Sequence, residues 1–134
     1  MLIFHASWCG WCHKLDSILA EPDVKKIVGD RFVVTHLDVM ENGDKKSLEN
    51  PGGGAMMTTY GGEKSGLPFF VILDGTGKKL GDSNRMANNQ NMGCPTEPAE
   101  IEAFIKLLKE TNPAITAAEL GTLQAKFTEA AKKK

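Results

Sequence analysis

The chain has 134 residues, 41% of them hydrophobic and 25% charged, with a formal net charge of −1. That length suffices to bury a core, and the balanced charge gives no electrostatic footprint for nucleic acid or for an acidic partner. No apolar run approaches the ~20 residues that a membrane helix needs, so no membrane span is expected.

Leu2 to His5 is short and apolar and predicts a buried strand. A helix follows over Cys9 to Ala20, with Leu15, Ile18 and Leu19 at helical spacing. Pro22 restarts a short helix in which Val24, Ile27 and Val28 face inward and Gly29 is the C-terminal stop. Arg31 to Val39 is β-branched and alternating, hence a second strand, paired parallel to the first in a right-handed βαβ unit. Met40 to Gly66 turns to Gly, Asn, Lys and Ser around Pro51-Gly52-Gly53-Gly54, with a short helix over Ala55 to Tyr60. Leu67 to Leu73 is a third strand, and the turn Asp74-Gly75-Thr76-Gly77 joins it to a short strand, Lys78 to Leu80, in an antiparallel hairpin. After a polar loop from Asp82 to Pro95, Ile101, Phe104, Ile105 and Leu108 form the apolar stripe of a helix that starts near Thr96 to Pro98. Thr116-Ala117-Ala118-Glu119 has the form of a capping box and opens a last helix with Leu120, Leu123 and Phe127; its terminal lysines are expected to fray. Lys25-Lys26, Lys45-Lys46 and Lys132 to Lys134 are ordinary solvated charge.

The chemistry concentrates in Trp8-Cys9-Gly10-Trp11-Cys12-His13, directly after the first strand. The three cysteines leave one over, and two of them are too close in sequence to brace a fold, so they are not a disulfide framework. A CxxC pair at a strand-to-helix junction is a dithiol that can close and reopen. The unpaired N–H groups and positive dipole end of the helix stabilise the thiolate there, and the thiolate is the reactive form. Two other readings use the same atoms. Cys9 and Cys12 are half a zinc site, which His5, His13, His36 or Cys94 would have to complete, with no second CxxC or HxxxH present. Cys9 to His13 also satisfies the CxxCH pattern of c-type haem attachment. His13 is expected to point to solvent, and Cys94 is expected to be incidental on its polar loop.

The order strand, CxxC helix, strand, short helix, Leu-Pro strand, hairpin and terminal helix resembles the thioredoxin fold over roughly Leu2 to Leu108. Trp8-Cys9-Gly10-Trp11-Cys12 is similar to the active site of thioredoxin-like proteins, above all bacterial ones with a WCxWC-type site. Gly66-Leu67-Pro68 is similar to the loop whose proline is cis and faces the dithiol. The resemblance implies an α/β fold, a central mixed sheet flanked by helices, lacking the family's N-terminal strand and helix. The chain then reads as one domain over 1–134, with a core at about 2–110 and a C-terminal helical extension at about 116–131. Two further departures concern the site. Ile3 stands where thioredoxins place a buried acidic residue, and Trp11 replaces the usual proline between the cysteines.

Together the residues and the resemblance lead to the expectation of a thiol–disulfide oxidoreductase, acting as a monomeric reductase of protein disulfides in cell redox homeostasis. Cys9 attacks and Cys12 resolves; Trp8, Gly10 and Trp11 shape the approach; Leu67 and Pro68 hold an extended substrate strand. No cofactor and no metal is expected. The partners are protein substrates with disulfides or dithiols and an electron donor or acceptor. The competing class is a peptide-binding module of the same fold whose dithiol is only structural. Met1 is followed at once by a strand, which places the protein in the cytoplasm as written, and a leader removed upstream would place it in the periplasm or outside the cell.

Overall fold

The structure, a computed structural model, describes residues 1–132; Lys133 and Lys134, read above as solvated charge, lie outside the described residues. Strand β1 (Leu2–His5) leads into helix α1 (Gly10–Ala20) and then helix α2 (Pro22–Arg31). Strand β2 (Thr35–Asp38), helix α3 (Gly53–Thr59) and strands β3 (Phe69–Leu73) and β4 (Lys79–Asp82) follow, and helices α4 (Pro98–Thr111) and α5 (Ala117–Ala131) end the fold. The sheet order is β2-β1-β3-β4. β1 and β2 are parallel, while β1–β3 and β3–β4 are antiparallel. This is the mixed sheet and βαβ entry expected from the sequence.

Strand alternation divides the apolar residues between two faces. Ile3, Phe70 and Ile72 turn to a core shared with Leu15 and Ile18 of α1, Val24 and Val28 of α2, Phe104 and Leu107 of α4 and Leu123 and Phe127 of α5. Phe4, Phe69 and Val71 turn the other way, to Val39 and to Met57 of α3. Burying the sheet on both faces keeps β1 rigid, and β1 carries the loop that ends at Cys9.

Several boundaries differ from the sequence reading for local reasons. Gly29 does not stop α2, because it sits on the solvent side and the Phe32 N–H still reaches the Val28 carbonyl at 2.7 Å. Arg31 therefore ends the helix rather than starting β2, and the Asn112 amide caps its carbonyl at 2.8 Å. β3 starts at Phe69 rather than Leu67, since Pro68 has no N–H to give to a ladder. In the β3–β4 turn, Asp74 Oδ1 accepts from the N–H groups of both Thr76 and Lys78, which delays β4 to Lys79. Gly43–Leu48 forms a 3-10 turn that its polar composition does not announce, and α3 begins at Gly53, ahead of Ala55. On α4, Leu107 is in the core while Ile105 is only half-buried, because that helix meets both the sheet and α5.

Candidate active site

The loop Ala6–Cys9 leaves the C-terminal end of β1 and delivers Cys9 to the N-cap position of α1. Its φ of −88° and ψ of 107° are extended, as a cap requires, and its side chain rather than a hydroxyl takes the orphan N–H. The Cys12 N–H points at Cys9 Sγ over 3.1 Å. Cys9 and Cys12 are joined as a disulfide, with Cα atoms 5.2 Å apart. The first turn of α1 contains no acidic residue, so nothing there opposes negative charge on a Cys9 thiolate.

Cys9 is more enclosed than a helix start alone suggests, with 5% of its surface exposed against 1% for Cys12. Ala6 and Leu67 pack around the pair. The two indoles instead lie outside, Trp8 at 55% and Trp11 at 56% exposure. They stand as exposed apolar surfaces beside the buried cysteine pair.

The Leu67–Pro68 peptide bond is cis, and the Leu67 carbonyl lies 3.6 Å from Cys9 Sγ. Residues nearly sixty positions apart thus meet, as the likeness of Gly66-Leu67-Pro68 led us to expect. Asn91 holds this loop from behind: its Nδ2 donates to the Gly66 carbonyl and to the Pro68 carbonyl, each at 2.8 Å. A cleft runs from Trp11 and Leu67 to Met92, Gly93 and Cys94.

Two residues that the sequence reading passed over anchor the other side. Glu41, 2% exposed, accepts from the Ser7 hydroxyl at 2.6 Å and from the Ser7 N–H at 2.8 Å. The hydroxyl bond first, and the backbone bond after it, hold the Glu41 carboxyl below the usual carboxylate range. Met40, with φ at 54° in the left-handed region, turns its carbonyl to the Trp8 indole N–H at 2.7 Å. The usable signal was position: both residues follow the C-terminal end of β2, the same sheet end that carries the CxxC loop.

The remaining candidates fall elsewhere. His13 is exposed, as expected, with Nε2 2.7 Å from the Ser7 carbonyl. Cys94 is not a surface thiol on a polar loop but 4% exposed within the main core, and burial pushes it up to about 12. Gly93, at φ +60°, and Met92 turn the chain inward there, which composition alone does not signal. His5 and His36 come together with Asp16 and not with the cysteine pair.

Comparison with known proteins agrees with this geometry. A thioredoxin-like family matches residues 1–75. Among solved structures the chain is similar to a disulphide isomerase from Xylella fastidiosa Temecula1, at 26% identity, with a TM-score of 0.49. The match covers 60% of this chain and 56% of that one, so the chain spans little more than half of that structure's length. No curated protein matches the chain. With the family match extending over more than half the sequence and a strand–CxxC–helix junction facing a Leu-Pro loop, the chain belongs to the thioredoxin-like family.

Proposed function

We propose that the protein is a thiol–disulfide oxidoreductase that reduces disulfides in protein substrates, with Cys9 as the attacking sulfur and Cys12 as the resolving one. The observation that carries this reading is the Cys9–Cys12 pair at the N-cap of α1, with the Cys12 N–H aimed at Cys9 Sγ. In the dithiol form that N–H and the helix dipole stabilise a Cys9 thiolate.

The thiolate attacks one sulfur of a substrate disulfide; the S–S bond breaks and the other substrate sulfur leaves as a thiolate that takes up a proton. A mixed disulfide joins Cys9 to the substrate. Cys12 then loses its proton and attacks Cys9 Sγ, releasing the second substrate sulfur. The substrate gains two electrons and two protons, and the protein is left with the Cys9–Cys12 disulfide. An external dithiol donor restores it. Trp8, Gly10 and Trp11 shape the approach, and the Leu67 segment next to Pro68, which lines a cleft with Trp11, holds an extended substrate segment by strand addition.

A second reading is a peptide-binding module, favoured by the two outward indoles and by the cleft that Trp11 lines with Leu67. Insulin reduction with dithiothreitol as donor separates the two. Catalysed precipitation that vanishes in Cys9→Ser supports exchange. Binding of extended peptides with precipitation no faster than dithiothreitol alone supports the module.

A further inference from the structure

A second constellation, unused by the dithiol, lies between β1, α1 and β2. The parallel register sets Ile3 opposite His36 and His5 opposite Asp38. Alternation along the strands therefore turns His5, His36 and Asp38 toward the face that α1 covers. Asp16 meets them from α1, one turn beyond Cys12. Its Oδ2 lies 3.2 Å from His5 Nδ1 and its Oδ1 2.9 Å from His36 Nε2. On the far side of the ring, His5 Nε2 is 2.8 Å from Asp38 Oδ1. The two imidazoles lie side by side, centroids 4.8 Å apart.

The contacts of His5 are the informative ones. Its two nitrogens each face a carboxylate oxygen, Asp16 on one side and Asp38 on the other, and a neutral imidazole offers one N–H and one lone pair. A divalent ion held between the two imidazoles and Asp16 would use that lone pair. His5 then keeps its Nε2–H for Asp38 and turns the Nδ1 lone pair to the metal, the arrangement in which a carboxylate fixes the tautomer of a metal-bound histidine.

We infer that His5 Nδ1, the Asp16 carboxylate and His36 Nε2 form a binding site for one divalent transition metal of the zinc class, with a fourth position open to water. Two imidazoles and one carboxylate suit zinc, cobalt or nickel, whereas calcium and magnesium take oxygen ligands. Metal–ligand bonds of ~2.0–2.2 Å place the atoms of a tetrahedral set ~3.3 Å apart. Asp16 reaches His5 with one carboxylate oxygen and His36 with the other, so it lies between the two rings. One ligand atom from each of the three side chains lies within 4.8 Å of the others, which a small side-chain adjustment closes around an ion. Each of the three side chains is partly exposed, so an ion can enter from solvent.

The ligands are distinct from Cys9 and Cys12, so this site holds or fails independently of disulfide exchange. The test uses the untagged full chain with its disulfide closed, so that neither active-site sulfur can ligate. Zn2+ is titrated calorimetrically and Co2+ by visible absorption, with Mg2+ as control. The expected result is one Zn2+ per chain and tetrahedral Co2+ bands without sulfur-to-metal charge transfer. Binding should be lost in Asp16→Asn and in His36→Ala or His36→Gln, two variants at an edge position that keep the native circular dichroism. It should weaken by ~10–100-fold in Asp38→Asn. Failure of either ion to bind, or binding that survives in the folded His36 variants, would show a hydrogen-bonded cluster only and overturn the assignment.

Discussion

Cys9 and Cys94 show how one side chain takes opposite characters from its surroundings. Cys9 sits where a helix offers an unpaired N–H and a positive dipole end, which favour the thiolate in the reduced form. In the reduced protein iodoacetamide should therefore alkylate Cys9 first, with Cys12 and Cys94 trailing in peptide mapping by mass spectrometry. Faster reaction at Cys12 would reverse the roles. Cys94 is held protonated up to about 12 by burial, against 9.0 for an ordinary thiol. Above pH 9 the unfolded chain gives up that proton while the folded chain keeps it, so stability falls as pH rises. One proton is at stake, so the slope cannot exceed ~1.4 kcal/mol per pH unit. Urea midpoints at pH 8 and 10 should differ more in the native protein than in Cys94→Ala.

Among the elements, the loop around Pro68 depends on a close approach at Gly62. A Cβ there would lie 2.6 Å from the ring of Phe69 and 2.8 Å from Met57 Cγ. Phe69 is fully buried and cannot swing away. Gly62→Ala should cost ~1–3 kcal/mol, as overpacking does, and should slow insulin reduction together with it by disturbing the Leu67 segment. Elements with an apolar period or a proline punctuation were legible in the sequence: β1, the CxxC helix, the Leu-Pro strand and the Thr116 capping box. So were the dithiol and its opposing loop. The segments after β2 and before α4 were not, because their structure comes from side chain to backbone bonds between distant residues. Glu41 on Ser7, Asn91 on the Pro68 loop and Ser83 on the Phe70 N–H leave no periodic trace. The cluster at His5, Asp16 and His36 was hidden because it needs the β1–β2 register together with the packing of α1, which brings Asp16 to the two rings.

Across the whole molecule, α5 is part of the core rather than an appendage. It packs on α1, α2 and α4, and Phe127 is fully buried, its ring centroid 4.9 Å from that of Phe104. Arg31 with Glu119 at 2.8 Å and Lys126 with Glu21 at 2.6 Å pin its two ends to α2 and to the α1–α2 junction. Phe127→Ala should lower stability by ~3–5 kcal/mol in urea unfolding, with a single cooperative transition retained. The path from α5 through Phe104 and Phe70 to β1 is continuous packing, and it fixes the strand from which the CxxC loop departs. That platform holds the Cys9–Cys12 pair at the start of α1, where the proposed two-step exchange would take place. The most direct measurement of their division of labour is trapping with oxidised insulin on non-reducing gels. Cys12→Ser should accumulate a reductant-sensitive adduct through Cys9, and Cys9→Ser should form none. An active native protein whose Cys12→Ser variant traps nothing, or a Cys9→Ser variant that traps equally well, would contradict the two-step exchange.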